Sequence, residues 1–411
     1  MSSHPTLPFE IIEVIVDTLA QHDPGFSSLK MCSVVCQVFL DLCRKHIFAS
    51  VTTHGQHHGV LRLLSATPAI ADHIRKLKWW VKLQVFRDSS LPRILEKITK
   101  LESLTIYWQP EARWTENHLR SPIIHLLHLP TLIRLEICDI QDFSFADLIP
   151  CTNLREFRLR SSKPATGLEY NTPSSLPHNS LQPTTELKYT SPSIFPHNSL
   201  QLRHLSFGGS SSTAISMIGV ALRPDGRPIF NLAILPSVTL LLYAYDDFEA
   251  SRKLFQHCSQ LSKVDISLSF PPLSWTGIAK MLKPSIETLT HLHFTTGTQD
   301  ETGTNDPLGG LVAELEEMRH QNVVEKMTID VSVSSCYQCS HGDDWGLLDV
   351  VLTQSGWPKL ERVSLNIFLW LCYREDDLAV ALESLPQTQF PRLSSSRSVV
   401  FQFAVIDKSY G

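Results

Sequence analysis

The run Cys336-Tyr337-Gln338-Cys339-Ser340-His341 carries the residue types and spacing that could ligate a metal or shuttle electrons. Zinc takes four ligands, and no second cysteine pair lies at a suitable spacing to complete the set. A redox role would want the first cysteine at a helix N-terminus, so the run reads as a loop with two incidental thiols. His54, His57 and His58 have no acidic or thiol company and read as part of a polar link. Gly208-Gly209-Ser210-Ser211-Ser212 lacks the Gly-x-Ser-x-Gly spacing of a nucleophile elbow. No phosphate loop, dinucleotide fingerprint or His-Glu-x-x-His occurs, and no metal or cofactor is expected. A hydrolase with a hidden active site would have to draw on scattered serines, histidines and aspartates.

The more informative pattern is helical and lies in the first 48 residues. Pro8 suits the first position of a helix, where its missing N–H leaves no bond unmade, and Glu10 favours the dipole. Ile11, Ile12, Ile15, Val16 and Leu19 then form one apolar stripe, with Glu10, Glu13 and Asp17 opposite. Asp23-Pro24-Gly25 breaks this helix. Ser27 or Ser28 can cap a second one, with Leu29, Cys32, Val35 and Cys36 as its stripe. A third carries Phe39, Leu42, Cys43 and Ile47. So short a module cannot bury all its apolar area, and part of the stripe is expected to meet a partner.

The segment resembles an F-box. The resemblance rests on Leu7-Pro8, Glu10, Ile11-Ile12, Ile15, Leu19, Leu29, Cys32-Ser33, Val35-Cys36, Phe39, Cys43-Arg44 and Ile47-Phe48. It departs where Phe9 replaces a small or polar residue and Phe39 a tryptophan. The resemblance implies a substrate-choosing subunit of an SCF-type ubiquitin ligase, an adaptor rather than an enzyme. Leu7, Pro8, Glu10, Ile11, Ile12, Ile15, Val35 and Phe39 would then meet a Skp-family linker protein, which binds a cullin. A scaffold that binds the linker but ubiquitinates nothing is the alternative.

The chain has 411 residues, 43% apolar content and a net charge of −5, so it can bury a sizeable core and has no electrostatic footprint for nucleic acid. Nine cysteines, thinly spread, are expected as thiols. Met1-Ser2-Ser3-His4-Pro5 does not begin a signal peptide, and no apolar run spans a membrane, so a cytoplasmic or nuclear setting is expected.

Beyond residue 70 a short pattern recurs: an apolar residue, two variable ones, then alternating apolar positions. Leu101-Glu102-Ser103-Leu104-Thr105-Ile106 and Leu289-Thr290-His291-Leu292-His293-Phe294 are two copies. Its fourth position falls at 77, 104, 135, 157, 205, 238, 264, 292, 327 and 363, spaced from 22 to 48 residues apart. Period-two alternation says strand, and helical patterns lie between, as at Leu311, Val312, Leu315 and Met318. Strand and helix repeated this way build an α/β solenoid with parallel strands inside and helices outside. A doubly wound α/β sheet would show the same alternation.

The pattern is similar to the leucine-rich repeat, which places Asn two residues beyond the alternating pair. Here those positions hold Gln109, Ile140, Ser162, Ser210, Ser269, Gly297, Ser332 and Phe368, so an irregular arc is expected. The expected division is an F-box domain at 1–52, a linker at 53–70 and a leucine-rich-repeat-like domain at 71–411. Pro177-His178-Asn179-Ser180-Leu181-Gln182 returns as Pro196-His197-Asn198-Ser199-Leu200-Gln201, inside a low-complexity duplicated insertion at about 161–201 that is expected to be mobile. Residues between the apolar alternates should project into an open face. An unknown protein substrate with an acidic or phosphorylated segment would meet Lys78, Trp80, Tyr107, Arg158 and Arg160 there, unless recognition lies around Trp345, Trp357 and Trp370.

Overall fold

The computed structural model describes residues 8–408 apart from 24, 54–63, 65, 82–90, 110–112, 116–118, 165–197, 210, 270–273, 299–305, 335–343 and 371–375. The histidine trio at 54–58, the cysteine run at 336–341 and most of the duplicated insertion therefore fall outside the described residues. The chain divides into two compact units. Residues up to Leu154 belong to the first; Arg155–Pro164 and Ser199 onward form the second.

The first unit opens with three helices, α1 Phe9–His22, α2 Ser27–Cys32 and α3 Gln37–Ile47. Pro8 takes the N-cap place rather than the first helical one. Neither Ser27 nor Ser28 caps α2; the Asp23 carboxylate does so, accepting the Ser28 N–H at 2.6 Å and the Gly25 N–H at 3.1 Å. Those bonds hold the Asp23 carboxyl below its usual value. Val16, Leu29, Leu42 and Cys43 form a small buried core, with Ile12, Leu19, Phe39 and Ile47 half-buried against it. Lys45 meets Glu13 at 3.0 Å and His46 meets Asp17 at 2.8 Å, tying α3 to α1 at the surface.

Four parallel strands follow in chain order: β1 Ser50–Thr53, β2 Lys76–Val81, β3 Ser103–Trp108 and β4 Arg134–Cys138. Val51, Leu77, Leu104 and Leu135 stand side by side in one row, and all are buried. The short helices α4 Leu91–Leu95 and α5 Arg120–Leu127 lie between strands and pack on each other. A buried Asp147 takes the Trp114 indole N–H and an Arg120 N–H, both at 2.8 Å. The pairing matters because a lone buried carboxylate would be costly. The β1 strand was not among the sequence repeats. It includes Thr53, where a linker was expected, and Pro68–His73 close that stretch as a 3-10 turn.

The second unit continues with eight parallel strands in chain order: β5 Glu156–Arg160, β6 His204–Gly208, β7 Ser237–Leu242, β8 Lys263–Leu268, β9 His291–Thr298, β10 Lys326–Ser334, β11 Arg362–Trp370 and β12 Val400–Asp407. Phe157, Leu205, Val238, Val264, Leu292, Met327 and Val363 pair across successive strands as one fully buried row, which Phe401 extends. In either unit the strand order never reverses, so the switch point of a doubly wound sheet is missing among the described strands. The helices are α6 Ser212–Ile218, α7 Tyr245–Phe255, α8 Ile278–Leu282, α9 Leu311–Met318, α10 Asp344–Thr353, α11 Asp376–Glu383, α12 Leu385–Thr388 and α13 Pro391–Ser395. Neighbours from α6 to α10 pack in sequence, and α10 packs on α13.

The missing asparagines have a structural counterpart. Gly297, Ser332 and Phe368 lie inside β9, β10 and β11, so the late strands run eight or nine residues where a turn would otherwise begin. Gly297 suits the close approach of the neighbouring strand, since a Cβ there would stand a tight 3.2 Å from the Ser332 carbonyl oxygen. Polar ties between repeats move to the helix layer. Glu314 of α9 accepts the Gly277 and Ala279 N–H groups at 2.8 and 2.7 Å, at the start of α8. Asp344 accepts the Gly310 N–H at 3.1 Å before α9. Asp349 of α10 accepts the Arg392 and Leu393 N–H groups at 3.0 and 2.7 Å, at the start of α13. Carboxylates suit those positions because helix N-termini leave donors unsatisfied and carry partial positive charge.

Candidate functional site

Two surfaces hold side chains that their own unit does not bury. The first is on the three helices. The stripe of α1 splits: Val16 is fully buried and Ile12 and Leu19 lean on the core, while Ile11 and Ile15 point outward with Phe9 and Val14. After α2 the chain exposes Met31, Val34 and Val35, the valines at 79% and 70%. Val38 adds a further exposed group at the start of α3. Eight of the seventeen exposed large apolar side chains among the described residues thus sit between positions 9 and 38. Apolar exposure concentrated in so short a stretch marks a binding surface more than chance does.

The expected linker contacts divide accordingly. Pro8, Glu10, Ile11, Ile15 and Val35 are exposed; Leu7 lies outside the described residues. Ile12 and Phe39 do not belong to an exposed edge, because both close the helical core. Val35 and Cys36 leave the stripe of α2, which ends at Cys32. Sequence spacing did not mark Phe9, Val14, Met31, Val34 or Val38; their exposure depends on where the helices end.

The second surface is the open side of the strands. In the first unit Lys78, Thr105 and Glu136 share a row, with Trp80, Tyr107 and Cys138 in the next. The Trp80 and Tyr107 rings stack at 4.2 Å and 7°. In the second unit Arg158 and Arg160 project from β5, and the Arg160 stem lies along Gly208, where a Cβ would come within 3.3 Å. The expected substrate residues therefore occur as a trio on one unit and a pair on the other. Trp345 and Trp357 offer nothing to a partner: both are buried, donating to Asp306 at 3.0 Å and to the Val351 carbonyl at 3.1 Å.

On the open side of β7 to β11 one polar chain crosses five strands. Thr239 donates to Asp265 at 3.0 Å, and His293 bridges Asp265 at 3.2 Å and Asp330 at 2.9 Å. Asn366 donates to Asp330 at 2.8 Å. The two aspartate bonds push the His293 pKa up to about 9, so the ring is charged at neutral pH. Burial pushes Asp265 and Asp330 upward, but the His293 bonds and charge, together with Lys263 and Thr239 at Asp265 and with Asn366 at Asp330, leave both carboxyls below their usual value. His204 and His291 go the other way, lowered first by burial and then by nearby cations. The sequence placed His293, Asp265, Asp330 and Asn366 on this face; their joining needed the strand register.

Among the described residues no cluster suited to a metal ion occurs, and no helix is long and apolar enough to cross a membrane. Compared with models of known protein families and with curated proteins, the chain finds no match.

Proposed function

We propose that the chain is the substrate-recognition subunit of an SCF-type ubiquitin ligase. In this reading residues 1–52 act as an F-box that docks on a Skp-family linker and through it on a cullin. The strand–helix repeats, read as an irregular leucine-rich-repeat-like solenoid, hold the protein substrate, in cytoplasm or nucleus. The chain supplies no catalytic group of its own. The observation that carries the reading is the split stripe of α1 and the exposed Met31-to-Val38 segment beside it. A module that closes its own core and still exposes eight large apolar groups is suited to a partner's apolar groove.

Ubiquitination is tested through turnover. A protein captured by the repeats should accumulate when the proteasome is inhibited, and equally when Ile11→Asp and Val35→Asp uncouple the linker. A captured protein whose level ignores both would favour the scaffold reading over the ligase one.

A further inference from the structure

The residue just before each buried anchor in the late repeats forms its own row. Lys263, His291, Lys326 and Arg362 stand at paired positions on β8, β9, β10 and β11. Adjacent strands are about 4.8 Å apart, so the row spans about 14 Å, the reach of four to five extended residues. Lys326 and Arg362 are exposed and make no side-chain hydrogen bond or ion pair among the described residues. Lys263 reaches Asp265 at 3.5 Å and stays half-exposed.

Acidic groups on the same face are offset in part from within it. Asp265 and Asp330 share the single charge of His293, and Asp265 also meets Lys263, which leaves Lys326 and Arg362 without a carboxylate partner among the described residues. Among the described residues on this side of the second unit, Arg158, Arg160, Lys263, Lys326, Arg362 and charged His293 face Glu156, Asp265 and Asp330 as carboxylates, and Glu325 lies near enough to His291 to act on it. The face is thus net positive on a chain whose net charge is −5. Ser206, Ser237, Thr239, Ser267, Thr295, Thr328 and Ser364 fill its rows with hydroxyls.

We propose that this face docks an extended Asp- and Glu-rich segment of a partner protein, laid across the strands along Lys263, His291, Lys326 and Arg362. The hydroxyls suit a peptide's backbone and side-chain polar groups. A nucleic-acid backbone carries charge at every step and would need basic groups well beyond this short row, on a chain whose net charge is −5. The proposal does not rest on the ligase reading, because it needs only the second unit's face.

The test is fluorescence anisotropy with a labelled Glu-Ser repeat peptide and the full chain. Binding should weaken as salt rises, and the triple variant Lys263→Glu, Lys326→Glu, Arg362→Glu should lose about tenfold in affinity. Reversing Lys253 and Lys280 of the helix layer should change nothing. If the triple variant melts early, Lys326→Glu and Arg362→Glu singly should each lose a few-fold at unchanged melting temperature. Equal binding by the row and helix-layer variants would overturn the proposal. So would no binding by the native chain, or tighter binding of a phosphoserine peptide or a single-stranded oligonucleotide.

Discussion

The three N-terminal helices and the strand–helix repeats treat their apolar residues differently. In the repeats the anchor row from Phe157 to Val363 is buried throughout, and the helices bury theirs, as Leu311, Leu315 and Met318 do. In the helices only Val16, Leu29, Leu42 and Cys43 are buried, and the apolar residues left at the surface outnumber them. Repeats stack on neighbours, so each apolar position finds cover within the chain. A lone three-helix module has no neighbour of its own kind, so its surplus is directed outward. The difference separates a region that covers its own apolar residues from one that leaves many of them exposed.

The largest effect should come from the anchor row. Leu292→Ala should destabilise by about 3 kcal/mol, because the site is fully buried between two strands and cannot collapse. Thermal melting would read this, and a loss below about 1 kcal/mol would say the row is looser than its burial implies. Next comes the helix layer. Glu314→Ala should cost about 2 kcal/mol by leaving the Gly277 and Ala279 N–H groups without an acceptor.

The His293 chain gives a pH-dependent effect. The folded-state pKa of His293 lies above the unfolded one, so its contribution is full below about pH 6.5 and is lost as pH rises through about 9. Asp265 and Asp330 are lowered, so theirs is present above the ordinary carboxylate range and lost as pH falls below it. Melting temperature should therefore decline between about pH 6.5 and 9 in the native chain more steeply than in His293→Gln. Parallel curves would mean that the bridge adds nothing. The smallest effect belongs to the exposed helical surface: Val34→Ser should leave melting within about 0.5 kcal/mol of the native chain. A large loss there would erase the contrast between the two regions.

Much of this was legible in the sequence because the anchor spacing repeats a physical requirement. Leu77, Leu104 and Leu135 had to meet in one row of the first unit, and Phe157 to Val363 in one row of the second, and they do. The row's ends were less visible. Val51 and Phe401 lie in strands beside the first and last clear copies; the first has Thr53 where the second apolar alternate should stand, and the second has Ser398 in the leading apolar place. Chain order of the strands could not be read locally, because strand–helix alternation is common to both topologies. On the helices, period alone could not tell Ile12 from Ile11: both belong to the stripe, and only packing against Leu29 and Leu42 assigns one inward. The Asp265–His293–Asp330 bridge spans residues far apart in sequence, so it depends on register.

The central claim is that the exposed helical surface binds a Skp-family linker, and direct co-purification tests it. The full chain and its Ile11→Asp, Val35→Asp variant would be expressed with a Skp-family protein, sparing Ile12 because it packs on the core. The native chain should retain the linker, and the variant should lose it at unchanged melting temperature, a loss of at least about 2 kcal/mol in binding. Equal retention by both, or none by a folded native chain, would contradict the account.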